Sequence, residues 1–424
     1  MHNNTPVKKK DPYAALRNGE FRRFIFARFF FTISMQIQAV VVGWQMYDLT
    51  GDPLALGLIG LAEAIPALSV ALYAGHIADR FNRKKILIPG LMVLLFCSVT
   101  LTFLSTPLAV QTLDSVIIYI YSIIFISGLA RGFLFPALFS FWSQLIPRNL
   151  YGNASIWNST IWQTGAIAGP ALGGLIYGFY GLTEAYVADT GLLVVAVFLL
   201  SSIPSKPLER TGEHEDILKS LSTGVRFVFG NPVLLGALSL DLFAVLFGGA
   251  AALLPIFAKE ILNTGPEGLG FLRSSPSIGA IIMAGILAYF PPEKNTGRIL
   301  LFSVFGFGVS MILFSLSTNF YISLFLLGLS GAFDNVSVVI RSTIVQLMTP
   351  NHMRGRVSSV NSMFIGSSNE IGAFESGVAA RFLGTVTSVV FGGSMTILVV
   401  FITAVMNKAL RKLDMAGAAG SASD

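Results

Sequence analysis

The sequence predicts an all-α membrane protein in which twelve transmembrane helices form two six-helix bundles. Its composition is the first reason: of 424 residues, 54% are hydrophobic and only 12% are charged, with a mean hydropathy of +0.72. A soluble protein carries about 25% charged residues and could not bury this much apolar side chain. The second reason is that the apolar residues form twelve long segments, and the third is that the two halves of the chain repeat.

The twelve segments are each near or above the roughly 20 residues that a helix needs to cross the hydrocarbon core. Continuous apolar runs of this length exclude a membrane β-barrel, whose strands are short and alternate in polarity. The predicted spans of the first half are 23–49, 54–78, 86–105, 114–140, 151–178 and 184–203. The predicted spans of the second half are 232–257, 268–290, 299–317, 320–347, 357–382 and 386–408.

Lysine and arginine residues predict the orientation. They cluster before the first span and in every second connection, whereas the opposite connections hold Lys259, with Arg273 and Arg381 near helix ends. Because basic loops remain in the cytoplasm, both termini are predicted to be cytoplasmic. An even number of crossings is then required, which agrees with twelve.

The polar stretches divide the chain into five parts. They are a cytoplasmic segment 1–22, a first six-helix bundle 23–203, a cytoplasmic linker 204–231, a second bundle 232–408 and a cytoplasmic tail 409–424. Within the linker, Ile217, Leu218, Leu221, Val225 and Phe229 fall near one helical face. This spacing predicts an amphipathic helix along the membrane interface, and a loose linker is the alternative.

An internal repeat supports the two-bundle division. A shift of 203 residues superposes Ser127, Pro147, Asn158 and Gly174 on Ser330, Pro350, Asn361 and Gly377. Gly and Pro are frequent in every helical membrane protein, but a matched Asn in constant register indicates a duplicated unit.

The connection between the second and third spans reads GHIADRFNRKK. It contains Gly75, Asp79, Arg80, Arg83 and Lys84, with Asn82 where a glycine is usual in this pattern. Asn tolerates left-handed backbone geometry, so the tight turn is expected to survive. Asp79 can bind a helix N-terminus or a neighbouring arginine and so hold the cytoplasmic side of the protein in one conformational state. The alternative is a solvated basic loop.

The fifth span contains the run GAIAGPALGG, with Gly165, Gly169, Pro170, Gly173 and Gly174. Small residues at intervals of four allow helix backbones to approach closely. Pro170 removes a backbone donor and permits a bend. Ordinary close packing explains the same pattern.

Together these motifs resemble the major facilitator superfamily. The fifth-span motif resembles that of its proton-coupled antiporters, and residues 127–159 and 354–364 resemble the exporter subgroup that includes the bacterial enterobactin exporter. The resemblance covers nearly the whole chain. It implies proton-driven efflux of a siderophore or a hydrophobic drug from the cytoplasm by alternating access, across the inner membrane of a bacterial cell. The implied partners are a small-molecule substrate, protons as the coupling ion and the lipid bilayer, with the protein as a monomer.

Ionisable residues within the predicted spans are functional candidates, because a charge in hydrocarbon costs on the order of 3 kcal/mol or more. They are Arg28, Glu63, Arg131, Asp241, Asp334, Arg341, Glu370 and Glu375.

Four of these charges suggest a gate. The shift of 203 residues relates Arg131 to Asp334, and aligning Asn18 with Asn231 places Arg28 against Asp241. The first half therefore supplies cations and the second half carboxylates. We expect ion pairs between the halves to close the cytoplasmic mouth when the cavity faces outward, and protonation of a carboxylate to weaken them. The alternative is that each charge pairs within its own half. Glu63, Glu370 and Glu375 form a second set of proton-carrier candidates.

Amides within the spans are candidates for the substrate cavity, namely Gln36, Gln38 and Gln163. No metal site is expected, since the four histidines and the single Cys97 have no ligand spacing. No cofactor, nucleic-acid partner or enzyme activity is predicted. An importer of an iron chelate or small metabolite with the same fold is one alternative function, and a non-transport membrane sensor is another.

Overall fold

The computed structural model describes residues 11–112, 115–206, 217–292, 294–350 and 353–414. These parts of the chain are helical and contain no β-strand. The long helices of the first half are α1 Gly19–Thr50, α2 Pro53–Arg80, α3 Arg83–Leu104, α4 Val116–Phe141, α5 Tyr151–Tyr180 and α6 Leu182–Ser201. Those of the second half are α7 Pro232–Gly248, α8 Pro266–Tyr289, α9 Thr296–Leu316, α10 Phe320–Met348, α11 Arg354–Leu383 and α12 Thr385–Met406.

These twelve helices confirm the predicted fold class. By length and composition, ten helices in the described part of the chain can cross a bilayer. The other two, α5 and α11, are 30 residues long each and more polar, because they carry several Asn, Ser and Thr residues. Both pack across the molecule against helices of the other half: α5 lies against α8, and α11 lies against α2.

The helices begin and end where the sequence offers caps. Asn18 caps α1 by accepting hydrogen bonds from the backbone of Glu20 at 2.9 Å and Phe21 at 3.2 Å. Gly181 joins α5 to α6 with φ +115°, and Gly384 joins α11 to α12 with φ +86°. These two glycines are again 203 residues apart, and L side chains rarely adopt such backbone angles. The repeat is therefore present in the turns as well as in the helices.

The two ends of the bundle differ in what lies there. We call the end with Gly19 and Met406 the terminal side, and the end with the α1–α2 turn at Gly51 the far side. Near the far side the halves make backbone contact. A Cβ atom on Gly377 would lie 2.8 Å from Cα of Gly57. Only glycine permits this approach between α2 and α11.

A further helix, Ile217–Gly230, leads from the linker into α7. It packs against α7 and α11, with Val228 fully buried and Phe229 exposed. The linker part 207–216 lies outside the described residues, as do the segment 1–10 and the tail end 415–424. The side chains of residues 217–221, part of the predicted apolar face, are also outside the description.

One local expectation is wrong. Asn82 was expected to take left-handed geometry in place of glycine, but its φ is −57°. Its side chain instead caps α3 by accepting from the backbone of Lys84 at 3.0 Å, and it donates to the carbonyl of Lys206 at 2.7 Å. A glycine could form neither bond, so Asn is at this position for its side chain.

Candidate functional site

A cavity of about 390 Å³ lies between the two halves. Helices of both halves contribute to its wall, which is mostly apolar with a few polar groups. Its polar and charged lining residues are Gln36, Gln38, Glu63, Ser127, Arg131, Arg273, Asn369 and Glu370. This combination of apolar surface and few polar groups is typical of a site for a small organic molecule. The amides Gln36 and Gln38 line this cavity, whereas Gln163 is not among its lining residues.

One wall of the cavity carries an ion pair. Arg131 of α4 pairs with Glu63 of α2, and its Nη2 atom donates to Oε1 of Gln38 in α1 at 2.9 Å. Three helices of the first half are thus joined by one guanidinium group. Because each charge has a partner, this pair adds no net charge to the cavity.

Two further charges line the cavity without such a pair in the described structure. Arg273 of α8 and Glu370 of α11 both line the cavity, and neither forms an ion pair with any residue that the structure describes. The Nε atom of Arg273 is buried and has no hydrogen-bond partner among the described residues. An Nη2 atom of Arg273 lies 3.5 Å from the position a Cβ atom would take on Gly43 in α1. The guanidinium therefore reaches across to the first half.

The second half contains a separate group of charges. Asp241 of α7 pairs with Arg341 of α10, and both side chains are buried. Asp334 of α10 lines a small cavity together with Asp241 and forms no ion pair with a described residue. Two carboxylates therefore border one small cavity, and of the two Asp241 alone pairs with an arginine in the described structure.

The predicted cytoplasmic gate is not assembled in this conformation. Arg131 and Asp241 each pair within their own half, as the alternative interpretation expected. Arg28 of α1 forms no ion pair with the described residues, and the same holds for Glu375 of α11. The pairing of these charges in another conformation stays a prediction.

Polar contacts do join the two halves at the far side. Tyr47 donates to Glu260, and Lys259 pairs with Asp48. Asp52, which precedes the first residue of α2, accepts a hydrogen bond from Arg381 of α11 at 2.6 Å. These three contacts bridge the far mouth of the cavity.

The basic residues of the α2–α3 motif bind backbone carbonyls. Arg83 donates to the carbonyl of Ser140 at 3.1 Å, and Lys84 donates to the carbonyls of Ser201, at 2.7 Å, and Ile203. Both cations lie at the C-terminal ends of neighbouring helices, where carbonyl groups lack partners and a positive charge is favourable. Gly75, Asp79 and Arg80 lie on the last turns of α2, and their side chains are outside the described part of the structure.

The small residues of α5 lie on two faces. Three of the glycines pack on α1, because a Cβ atom on Gly165, Gly169 or Gly173 would meet α1 within 3.0 Å. Gly174 faces the other half, where its Cβ atom would lie 2.4 Å from the carbonyl of Pro266. The carbonyl of Pro170 approaches Gly270 of α8 in the same way. The motif therefore serves packing within the first half and contact between the halves.

Sequence reasoning missed two buried charges. In the sequence, Arg273 enters only the argument about membrane orientation, as a basic residue near a predicted helix end. In the structure it is seven residues inside α8 and lines the cavity. Asp189 of α6 was not singled out, and it is buried between Ser34 and Ser98, which donate to it at 2.5 Å and 2.6 Å. The available signal was the same for both: an ionisable residue inside an apolar segment.

The comparisons with known proteins agree with this architecture. The sequence model of the major facilitator family described as transmembrane secretion effector matches residues 10–423. The chain belongs to this family. It is 27% identical over 347 residues to the enterobactin exporter of Shigella boydii serotype 4, covering 80% of each chain. It is 26% identical over 345 residues to the enterobactin exporter of Escherichia coli O1:K1, again with 80% of each chain covered.

Solved transporter structures share the fold. A bacterial homologue of the iron transporter ferroportin, in an inward-facing state, aligns with a TM-score of 0.70 and 14% identity over 93% of this chain and 99% of that chain. The D-xylose–proton symporter aligns with a TM-score of 0.70 and 12% identity over 95% and 100%. These structures share the fold, and the family match makes this protein a multi-pass membrane transporter of the major facilitator superfamily.

Proposed function

We propose that this transporter is a proton-coupled exporter of a siderophore or a hydrophobic drug that works by alternating access. The observation that carries the proposal is the cavity between the halves, which has an apolar wall and a few polar groups. An organic substrate with an apolar body fits such a wall. The relatives that are named enterobactin exporters favour a siderophore and the outward direction.

The bridged far mouth supports alternating access. Contacts such as Lys259 with Asp48 and Arg381 with Asp52 hold the halves together at one end and must break before the cavity can open there. Exposed pairs of this kind are worth about 0.2–1 kcal/mol each, so a small difference in substrate affinity between two states can shift the population.

We place the proton site at Asp334, beside the pair of Asp241 and Arg341. A proton on one of the two carboxylates changes the charge around Arg341, and this group lies outside the substrate cavity. Coupling would then act through the relative stability of two conformations. When the cavity opens to the far side, Arg28 and Asp334 are the charges free to form the cytoplasmic gate.

The proposed location is the bacterial inner membrane with the terminal side in the cytoplasm. Exposed basic residues such as Arg22, Arg23 and Arg298 lie on the terminal side, and by the positive-inside rule they favour a cytoplasmic location for that side. A reporter that folds only in the cytoplasm, fused after residue 424, is expected to be active. Activity only of a periplasmic reporter at that position would contradict this orientation.

Everted membrane vesicles test the function. An inside-acidic gradient should drive accumulation of labelled enterobactin in vesicles with this protein and not in vesicles without it. Accumulation that requires the opposite gradient, or only of the iron-loaded chelate, would favour the importer. Asp334→Asn is expected to keep substrate binding and lose dependence on the gradient, whereas Glu370→Gln keeps that dependence. Normal gradient-driven transport by Asp334→Asn would exclude Asp334 as the proton site.

A further inference from the structure

Arg273 is an uncompensated cation in the wall of the central cavity. The cavity has four charged lining residues, of which Arg131 and Glu63 neutralise each other. Arg273 and Glu370 remain, and no ion pair links them in the described structure. The buried Nε atom of Arg273 also lacks a hydrogen-bond partner in the part of the chain that the structure describes. A guanidinium without a partner in a partly apolar cavity is costly to maintain, and an anionic ligand would offset that cost.

The surroundings of Arg273 are arranged for a ligand. The guanidinium group lies against Gly43 in α1, with its Nη2 atom 3.5 Å from the position that a Cβ atom would take there. Around it the wall is apolar, with Val42, Leu254 and Pro276 among the lining residues. Arginine presents a planar set of donors that can bind carboxylate or phenolate oxygens in pairs.

We propose that Arg273 is a substrate-binding residue that selects organic anions, so that the transported molecule combines an apolar body with one negatively charged oxygen group. This inference rests on the proposed function of the cavity as the substrate site and names the chemical class of the substrate. The anion would lie between α8 of the second half and α1 of the first. A ligand bound there contacts both halves and can therefore favour one arrangement of them over the other.

The charge of Glu370 provides a second test of anion binding, with an effect opposite to that of Arg273. When ionised, Glu370 repels an anion in the same cavity. Removing this charge is therefore expected to strengthen anion binding, whereas removing the charge of Arg273 weakens it. A purely structural role for either residue would not produce opposite effects on the same ligand.

Equilibrium binding to the purified, full-length protein in lipid nanodiscs tests the proposal. The probes are labelled 2-naphthoate and two competitors of nearly equal shape, the neutral 2-naphthylmethanol and the cationic 2-naphthylmethylammonium. The wild-type protein is expected to bind naphthoate at least tenfold more tightly than either competitor. Arg273→Gln should remove this preference, and Arg273→Lys should retain most of it. Glu370→Gln should tighten naphthoate binding about two- to fivefold, as expected for one partly screened charge.

The control is Arg298→Gln, which removes an exposed positive charge at the start of α9. It should leave all three affinities unchanged. Equal affinity of the wild-type protein for naphthoate and its neutral analogue, or no naphthoate binding, would overturn the proposal, and this comparison needs no variant. Naphthoate binding within twofold of wild type in Arg273→Gln would also overturn it. Binding does not depend on transport direction, so failed vesicle transport with intact anion selectivity would contradict only the proposed function.

Discussion

Asp52 both caps α2 and binds Arg381 of the other half. One carboxylate oxygen of Asp52 accepts from the backbone of Leu54 at 2.9 Å and so caps α2. The other accepts from Arg381 of α11 at 2.6 Å. The residue that starts the second helix of one half is therefore also bound to the other half at the far mouth.

The first prediction separates these two roles. Asp52→Asn keeps a good helix cap but removes the charge, so the far mouth should open more often. The expected increase is about two- to fivefold, because exposed ion pairs are worth up to about 1 kcal/mol. The measurement is the labelling rate of Ala252→Cys, in the cavity wall, by an impermeant maleimide added to intact cells. Cys97 is buried and adds little background. An unchanged rate would show that this pair does not hold the mouth closed.

The second prediction concerns the backbone contact between α5 and α8. A Cβ atom on Gly270 would lie 2.5 Å from the carbonyl of Pro170, so Gly270→Ala should force the helices apart and reduce transport at least tenfold. Gly285→Ala is the matched control in the same helix, since its Cβ atom would meet nothing within 4 Å. Transport in everted vesicles, normalised to protein amount, is the measurement. Equal transport by the two alanine variants would contradict the contact as a functional requirement.

The third prediction concerns the partly buried pair of Glu63 and Arg131. Glu63→Gln leaves the arginine without this counter-charge, and because both side chains are partly exposed, the expected cost is about 1–3 kcal/mol, which is less than for a fully buried pair. The double variant Glu63→Gln with Arg131→Gln should recover much of this loss, because no lone charge remains. Thermal unfolding in detergent gives the comparison. If the double variant is as unstable as the sum of the two single variants, the residues do not act as a pair.

The fourth prediction concerns Asp189 inside the first half. Asp189→Leu leaves the hydroxyl groups of Ser34 and Ser98 without their acceptor, which should lower stability by about 1–3 kcal/mol. Asp189→Asn retains an acceptor and should cost less. Val194→Ala, at an exposed position of the same helix, is the control for changes in α6. Equal melting temperatures of the Leu and Asn variants would show that the serine bonds contribute little.

Much of the fold follows from one-dimensional properties of the sequence. Segment length and apolar content predict a membrane helix because the bilayer selects both, and the repeat of 203 residues extends even to the paired turns at Gly181 and Gly384. The family motifs could also be recognised from the sequence, because their Gly, Pro and basic residues occur at defined spacings. Asn82 is the exception, since a cap and a left-handed turn both favour Asn.

The site was less predictable, because a sequence locates a charge along a helix but not the partner it meets. Arg131, Asp241 and Glu63 were identified as membrane charges from the sequence, yet only packing decided that Arg131 pairs with Glu63 and Asp241 with Arg341. The far-side contacts and the position of Arg273 in the cavity depend on which faces of distant helices meet.

The sequence by itself determined that this protein crosses the membrane twelve times in two related halves, because hydrocarbon thickness and backbone hydrogen bonding allow few other arrangements. The tertiary structure alone decided which charges are paired and which have no ion-pair partner among the described residues. That difference has a physical reason: hydrophobic length is a local property of the chain, whereas electrostatic pairing depends on distances between helices far apart in sequence.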